Sequence, residues 1–255
     1  MHAPSPDDER ECAIVVPVFN AFDAAVECLQ SVLACTAGRF EVLVYDDASP
    51  DGNFAESAPL ALAQDPRVKI VRNETNLGFV KTCNRGMAEA APRDVVLLNS
   101  DTLVTPGWLA RLVRAAYSDP KIGTVTPLTN NGTICSVPDI NADNPIPGNL
   151  TLDEYAALIE RISACDYPVL PTCVGFCVYI RRQVLDEVGG FDEEAFGRGY
   201  GEENDFSCRA QKRGYVDILD DATFVFHKGC ESFGAEAESL KRAAIAKVER
   251  KQTRR

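Results

Sequence analysis

Short apolar runs alternate with segments patterned for helices along the first half of the chain, and this alternation limits the fold more than any other feature. The runs lie at 13–16, 41–45, 68–71 and 95–98. Strands that alternate with helices at this spacing form βαβ units, and such units build a parallel sheet. An unbroken apolar run such as 95–98 is typical of a strand covered on both faces. The sequence therefore predicts an α/β fold with a mostly parallel central sheet.

Local signals predict where several helices begin. Asn20 is a candidate N-cap for the first helix. Thr105 followed by Pro106 indicates another start, because proline is favoured at the first helical position. Thr151 and Glu154 have the spacing of a capping box, which predicts a helix to about residue 164.

The second half of the chain is patterned less regularly. Residues 127–150 contain four prolines and predict a long loop, and loops of this length in compact domains are usually functional or disordered. A strand is expected at 173–180. Its Gly175 indicates a place where another group approaches the backbone closely. Two short strands are expected near 215–219 and 223–226.

Two of the predicted strands end on aspartates. Asp46 and Asp47 follow the second apolar run, and Asp101 follows the fourth. Because ligands of open α/β sheets bind outside the carboxyl ends of the strands, Asp47 and Asp101 are expected to face one crevice. A carboxylate there can hold a hard divalent cation, and the cation can hold a diphosphate. The alternative for each aspartate is a turn or a cap.

Charge and cysteine content exclude some classes of protein. The formal charge is −12 at pH 7, which argues against a nucleic-acid partner. The ten cysteines form no Cys-x-x-Cys pair, which argues against a zinc site, and several lie in apolar runs, where thiols behave as small hydrophobes. No apolar leader and no apolar run of about 18 residues is present. These features predict a reduced, cytoplasmic protein.

The two ends of the chain differ from its middle. Residues 1–10 are polar and are expected to be disordered. Residues 241–255 carry seven basic side chains and one acidic side chain. The segment 236–255 is therefore interpreted as a basic helix or tail. Two alternatives stay open for it: peripheral contact with an anionic membrane, or a solvated tail.

An ordered set of short motifs runs through the chain. The motifs are Pro17–Asn20, Asp46–Gly52, Asn76–Phe79, Asn99–Asp101, Gly189–Asp192, Gly201–Asp205 and His227. In this order they resemble the family-2 inverting glycosyltransferases, the rhamnosyltransferase-like members among them. The resemblance implies the GT-A fold, a single Rossmann-like α/β/α domain at 11–235 with a smaller acceptor-side subregion. Its nucleotide-binding half would be 11–126 and its acceptor-binding half 127–235.

The resemblance also implies an activity. The protein would transfer a sugar from a nucleotide-diphosphate sugar, UDP- or dTDP-linked by preference, to a hydroxyl of a glycan or lipid-linked glycan acceptor. Mn²⁺ or Mg²⁺ would offset the charge that builds on the diphosphate, held by Asp101 and His227. Asn99 departs from the stricter Asp-x-Asp form, so Asp101 is the anionic ligand of its motif. The alternative for His227 is a structural role.

Further residues are assigned to the nucleotide by the same resemblance. Asp47 would accept a hydrogen bond from the base, and a carboxylate suits the imide N–H of uracil or thymine. Phe19 would stack on the base, unless it is a core aromatic residue. The other expected nucleotide-binding residues are Pro17, Asn20, Asn76, Asn99 and Ser100.

Inversion requires a base that takes the proton of the acceptor hydroxyl. Glu203 stands where the family usually has an aspartate, and Glu202 and Asp205 are the other candidates. The alternative is that acidic residues lie here because the first turn of a helix favours negative charge.

Two other functions compete with transfer. A sugar nucleotidyltransferase needs a glycine-rich basic loop after the first strand, and Pro17–Asn20 supplies none. A non-catalytic nucleotide- or glycan-binding domain of a larger assembly would not need the Glu202–Glu203 pair.

Overall fold

A computed structural model of the chain describes residues 10–197 and 199–229. The expectations for residues 1–9 and for the basic segment 236–255 fall outside the described residues. No helix within the described residues has both the length and the apolar character that a bilayer crossing requires.

Strands and helices alternate through the first half as predicted. The strands are β1 (Cys12–Val18), β2 (Phe40–Asp46), β3 (Val68–Arg72), β4 (Asp94–Leu98), β5 (Thr102–Leu103), β6 (Ile122–Leu128), β7 (Val169–Leu170), β8 (Cys177–Ile180), β9 (Val216–Phe224) and β10 (Phe226–His227). The helices are α1 (Phe22–Cys35), α2 (Phe54–Ser57), α3 (Leu60–Ala63), α4 (Phe79–Glu89), α5 (Trp108–Ala116), α6 (Leu152–Ile162), α7 (Arg182–Val188), α8 (Glu193–Phe196) and α9 (Glu202–Gln211).

The central sheet has the strand order β3-β2-β1-β4-β8-β6-β9-β7 in the part of the chain that the structure describes. Strand β8 runs antiparallel to β4 and β6, and β7 runs antiparallel to β9, whereas the other pairs are parallel. The prediction of a mostly parallel sheet is confirmed. Because β8 is reversed, its amino end lies at the same edge as the carboxyl ends of β1, β2 and β4.

Helices cover both faces of this sheet. Successive residues of a strand point to opposite faces, so β1 packs Ile14 on one side and Val15 on the other. The face that Ile14 shares with Trp108 is covered by α1 and α5. The opposite face is covered by α4, α7 and α9, with Phe206 fully buried there. The result is the predicted α/β/α arrangement.

Two of the three predicted helix starts are wrong. Asn20 does not cap α1, which begins after Ala21 in the left-handed conformation and has no side-chain cap. Helix α5 begins at Trp108 after a left-handed Gly107, and the Thr105 hydroxyl donates instead to the Phe224 carbonyl. In both segments, tertiary contacts rather than local capping preferences determine where the helix begins.

The capping box is confirmed. The Thr151 side chain accepts from the Glu154 N–H, and the Glu154 side chain accepts from the Thr151 N–H. Helix α6 then ends at Ile162, close to the predicted end.

The strands of the second half differ more from expectation. Strand β8 begins at Cys177, not at residue 173, and the predicted strands near 215–219 and 223–226 form one strand, β9, followed by the short β10. A register shift against β6 at residues 127–128 lets β9 continue through the predicted gap. Strand β6 has no separate signal in the sequence, and a 3-10 helix lies at Thr133–Cys135 within the predicted loop.

Gly86 provides a test of how closely α4 is packed on the sheet. A Cβ at this position would lie 2.3 Å from Val15 Cγ1 and 3.2 Å from the Tyr45 ring, both in the core. Overpacking costs about 1–3 kcal/mol, whereas alanine in a helix gains about 1 kcal/mol over glycine. Because real Cβ atoms essentially never approach to 2.3 Å, the upper end of the overpacking cost applies, and we expect Gly86→Ala to lower the free energy of unfolding in urea by about 2 kcal/mol.

Gly148→Ala is the matched control, because no atom lies within 4 Å of a Cβ there. Its unfolding free energy should stay within about 0.5 kcal/mol of the wild type. Equal stability of the two variants would show that α4 can move away from β1 at no cost.

Candidate active site

The carboxyl edge of the sheet brings together most of the predicted site residues. Asp47 follows β2, Asn99–Asp101 follow β4, and Phe19 follows β1, which lies between those two strands. His227 reaches this edge on β10, and Gly175 precedes the amino end of β8. The sheet topology therefore accounts for the meeting of residues from distant parts of the chain at one edge.

Asp46 organises the loop after β2. Its carboxylate is fully buried and accepts from the N–H groups of Ser49 and Phe54 at 3.0 and 3.1 Å and from the Arg72 guanidinium. Burial alone would raise the pKa of Asp46, but the hydrogen bonds from Ser49, Phe54 and Arg72 outweigh it, so the pKa lies below its ordinary value. For Asp46, the geometry matches the alternative of a turn that was given for the aspartates at strand ends.

Asp47 is held by the next loop along the edge. Its Oδ1 accepts from the Asn73 side-chain amide and the Leu77 N–H, and its Oδ2 accepts from the Gly78 N–H, each at 2.8 Å. The Asn76 side chain donates to the Asp47 carbonyl at 3.2 Å. The start of α4 is thereby tied to the end of β2.

Phe19 and Asn20 lie beside Asp47 in a segment of unusual backbone conformation. Asn20, Ala21 and Ala48 all have φ near +50°, a region that residues other than glycine rarely occupy and that is concentrated at functional sites. Phe19 is 37% exposed, so it is not a core aromatic residue. The Asn20 Oδ1 is buried without a hydrogen-bond partner among the described residues.

Pro17 and Ser100 complete the predicted nucleotide set. Pro17 lies within β1, opposite Tyr45, and is half-buried. Ser100 is half-buried in the turn between β4 and β5. Beside it, the Asn99 N–H donates to the Phe176 carbonyl at 2.8 Å, and the Asn99 carbonyl accepts from the Thr102 hydroxyl at 2.8 Å.

Asp101 and His227 form a pair. The antiparallel contact between β5 and β10 places His227 opposite Thr102 and leaves its Nε2 3.3 Å from Asp101 Oδ1. The imidazole Nδ1 lies 2.6 Å from the Asn131 carbonyl oxygen, and the ring stacks on Phe176 with centroids 5.4 Å apart. Burial alone would lower the pKa of His227, but Asp101 and the Asn131 carbonyl outweigh it and raise the pKa.

The donor set at this pair fits a divalent cation. Two ligand atoms at adjacent positions of one cation, with bonds of about 2.1 Å, lie about 3 Å apart, close to the separation of Nε2 and Oδ1. No group of three His, Cys, Asp or Glu side chains suited to a metal occurs in the described residues. Two protein ligands match a cation whose other positions are filled by substrate phosphate and water.

Glu203 lies near the segment that holds Phe176. A Cβ on Gly175 would be 3.7 Å from Glu203 Oε1, and the adjacent Phe176 stacks on His227. Gly175 and Phe176 thus lie next to Glu203 and the His227 ring, respectively. The expectation of a close approach at Gly175 is wrong, because 3.7 Å is an ordinary van der Waals distance that an alanine would also allow.

Glu202 and Glu203 share a hydrogen bond at the start of α9. Glu202 is buried, and burial together with the charge and hydrogen bond of Glu203 raises its pKa far above that of an ordinary carboxyl. Burial and the charges of Glu202, Asp47 and Glu203 also raise the pKa of the Cys83 thiol. The three carboxyl groups are therefore near enough to act on one buried sulfur.

Asp205 has a different environment. Its carboxylate accepts from Arg209 Nε at 2.8 Å, and the same guanidinium donates to the carbonyls of Val188 and Gly190. The bonds from Arg209 to these carbonyls fasten α9 to the end of α7. Of the three predicted base candidates, Glu203 lies near Gly175 and Glu202 shares a hydrogen bond with Glu203, whereas Asp205 is paired with Arg209.

Several residues of the site were not anticipated. Asn73 binds Asp47 and directly follows β3, so the rule that singled out the aspartates at strand ends could have found it. Phe176 and Asn130 hold His227, and nothing in their local sequence indicates this. Their roles depend on contacts between distant segments.

Comparison with known proteins identifies the family of the chain. The family described as Glycosyl transferase family 2 matches residues 13–189. N-acetylglucosaminyl-diphospho-decaprenol L-rhamnosyltransferase of Mycobacterium tuberculosis (strain CDC 1551 / Oshkosh) is 26% identical over 235 residues, which are 83% of this chain and 74% of that protein. Succinoglycan biosynthesis protein ExoO of Rhizobium meliloti (strain 1021) is 34% identical over 116 residues, 46% of this chain and 32% of ExoO. The match thus spans about a third of ExoO.

Solved structures show the same fold. GalNAc-T7, solved with UDP, GalNAc and Mn²⁺, superposes with a TM-score of 0.70 at 18% identity over 94% of this chain and 48% of that one. The mannosyltransferase PcManGT of Pyrobaculum calidifontis, in complex with GDP-Man and Mn²⁺, superposes with a TM-score of 0.65 at 20% identity. This match covers 99% of this chain and 67% of PcManGT. The predicted GT-A fold is confirmed. Since the family match covers well over half of the sequence, this chain belongs to glycosyl transferase family 2.

Proposed function

We propose that the protein is a metal-dependent inverting glycosyltransferase that moves a sugar from a UDP- or dTDP-linked donor to a hydroxyl of a glycan or lipid-linked glycan. The observation that carries the proposal is that Glu203 lies near Gly175, while the adjacent Phe176 stacks on His227 of the Asp101–His227 pair. A donor phosphate and an acceptor hydroxyl would then meet the groups they need at neighbouring positions of one segment.

The donor nucleotide would bind along the ends of β1 and β2. Of about four lone-pair directions on the Asp47 carboxylate, three are filled by Asn73, Leu77 and Gly78. One direction is left for the imide N–H of uracil or thymine. The exposed ring of Phe19 would stack on the base, and the Asn20 Oδ1 would accept a hydrogen bond from the ribose.

Asp101 and His227 would hold the cation. When bound, Mn²⁺ or Mg²⁺ supplies positive charge against the diphosphate that leaves. Asp101 provides the anionic oxygen, and His227 provides Nε2 because its Nδ1 is directed to the Asn131 carbonyl. Mn²⁺ in the solved structures of GalNAc-T7 and PcManGT supports this choice of metal.

Glu203 would act as the base. The acceptor oxygen forms a bond to the anomeric carbon, the bond from that carbon to the diphosphate oxygen breaks, and the hydroxyl proton passes to Glu203. A base on the face opposite the leaving group inverts the anomeric carbon. Glu202, which retains its proton, donates to Glu203 and leaves it the charged member of the pair.

The alternatives have less support. The loop after β1 contains no glycine, whereas a sugar nucleotidyltransferase would need a glycine-rich basic loop there. A non-catalytic domain would gain nothing from a buried acid pair, which costs folding energy. Cytoplasmic location and membrane contact through residues 236–255 stay predictions. The name of the rhamnosyltransferase relative makes dTDP-rhamnose and a lipid-linked acceptor useful probes.

The test is release of UDP or dTDP from a panel of nucleotide sugars with Mn²⁺, with and without glycan acceptors. We expect Glu203→Gln to lower turnover by about 10²–10⁴-fold, because an amide cannot accept the hydroxyl proton. Binding of UDP with Mn²⁺, measured by calorimetry, should be unchanged. Glu194→Gln is the control, since Glu194 is an exposed glutamate at the start of α8. Pyrophosphate release from a nucleoside triphosphate would favour the nucleotidyltransferase instead.

A second variant tests the metal assignment. Asp101→Asn replaces the anionic ligand by a neutral amide, so Mn²⁺ affinity in the presence of UDP should fall by more than about tenfold. Electron paramagnetic resonance of free Mn²⁺ measures this directly. Asp153→Asn, an exposed aspartate in the first turn of α6, should bind as the wild type does. Equal affinity in Asp101→Asn would remove Asp101 from the metal site.

The protonated state of Glu202 predicts a dependence of stability on pH. Its pKa in the folded protein lies above the ordinary value of 4.5, so the folded state retains the proton more strongly than the unfolded state does. The contribution of Glu202 is therefore complete below about pH 4.5 and is lost as the pH rises towards the folded pKa, by at most about 1.4 kcal/mol per pH unit. Glu202→Gln removes this term, so its stability relative to the wild type should increase from pH 5 to pH 8.

Urea unfolding at several pH values measures the effect. The ionisable group that acts on Glu202 is Glu203 on the same helix, which adds to the effect of burial. Glu194→Gln should show a constant difference from the wild type over the same range. A constant difference for Glu202→Gln as well would show that Glu202 is ionised in the folded protein.

A further inference from the structure

His227 is held through its backbone by a single buried side chain. The Asn130 amide accepts from the His227 N–H at 2.8 Å and donates to the His227 carbonyl at 2.9 Å. This two-way contact is what a neighbouring strand would make, and it comes from a residue that is 3% exposed. The position of β10 is therefore fixed by Asn130 on one side and by β5 on the other.

The imidazole ring is fixed by the same segment. The next residue, Asn131, places its carbonyl oxygen 2.6 Å from Nδ1 of His227, and Phe176 covers one ring face. A carbonyl can only accept, so Nδ1 must carry the proton of this hydrogen bond. In the neutral ring Nε2 then has the free lone pair, and it faces Asp101.

The segment that makes these contacts is itself packed tightly. The Asn130 carbonyl accepts from the backbone N–H of Asn144 at 3.0 Å and from its side chain at 3.1 Å. A Cβ on Gly132 would lie 2.4 Å from the Thr129 side chain, and one on Gly229 would lie 2.4 Å from the Asn131 amide. Asn130 and Asn131 thus have little freedom to move away from His227.

We propose that Asn130 is a positioning residue for the metal site, which it serves by fixing His227 so that the Asn131 carbonyl selects the tautomer with Nε2 free. This inference rests on the proposed function, because it requires His227 to bind the cation. It also assigns a task to the predicted loop at 127–150: the segment at 130–144 supports a metal ligand from the acceptor side of the site. Groups that orient ligands in this way typically change metal affinity 10–100-fold when they are removed.

Histidine labelling with ¹⁵N offers a direct readout, since the chain has only two histidines, His2 and His227. In wild-type protein with Mg²⁺ and UDP, we expect the neutral ring of His227 to carry its proton on Nδ1. In Asn130→Ala the ring should sample both tautomers, and Mn²⁺ affinity with UDP present should fall 10–100-fold. UDP binding in the presence of EDTA should not change, because Asp47 is untouched.

Two further variants separate positioning from loss of structure. Asn144→Ala removes the side-chain hydrogen bond to the Asn130 carbonyl but leaves the contacts of His227 in place. It should change the tautomer and lower the Mn²⁺ affinity as Asn130→Ala does, but to a smaller extent. Asn149→Ala, an exposed residue of the same loop, should behave as the wild type. Circular dichroism checks that each variant is folded.

The outcomes distinguish the two proposals. If wild-type protein binds Mn²⁺ and folded Asn130→Ala keeps both the Nδ1–H tautomer and the affinity, the positioning role of Asn130 is wrong. If wild-type protein binds no Mn²⁺ and Mg²⁺ does not alter the His227 signals, the metal site of the proposed function is wrong, and this inference is overturned with it.

Discussion

Buried acidic side chains at one edge of the sheet are the constraint on which the rest of the structure depends. A carboxylate removed from water must be paired, hydrogen-bonded or protonated. Asp46 has an arginine, Asp47 has backbone N–H groups, Asp101 faces His227, and Glu202 retains a proton. The groups that pair with these carboxyls lie in different parts of the chain. The need to pair or protonate each buried carboxyl thereby brings segments that are far apart in the chain together at this edge.

The reversed strand β8 gives this edge its second half. In an all-parallel sheet, the position next to β4 would present a carboxyl end, followed by a loop leading away to a helix. Because β8 is antiparallel, the chain instead arrives at the edge through Gly175 and Phe176 and then enters the sheet. The backbone that enters places Gly175 near Glu203 and Phe176 against the His227 ring. The direction of β8 thus brings these two groups to neighbouring residues at the edge of the sheet.

The positions of Asp47 and Asp101 at the edge of the sheet could be predicted from sequence because they depend on local pattern, namely an apolar run followed by an aspartate. His227 followed only from the resemblance, since β10 is two residues long and no periodicity encodes so short a strand. Local sequence pattern also does not indicate the direction of β8, the presence of β6 or the start of α1 at Phe22. All three are decided by tertiary neighbours, which override intrinsic preference.

The departure of Glu203 from the usual aspartate has a structural counterpart in Gly175. A glutamate carries its carboxylate one methylene farther from the helix than an aspartate does, so it needs room where it ends. That room is the space beside Gly175, where even a methyl group would already contact Glu203 Oε1 at 3.7 Å. A side chain longer than that of alanine at 175 would compete with the Glu203 carboxylate for this space. The absence of a side chain at Gly175 therefore leaves room for the longer acid.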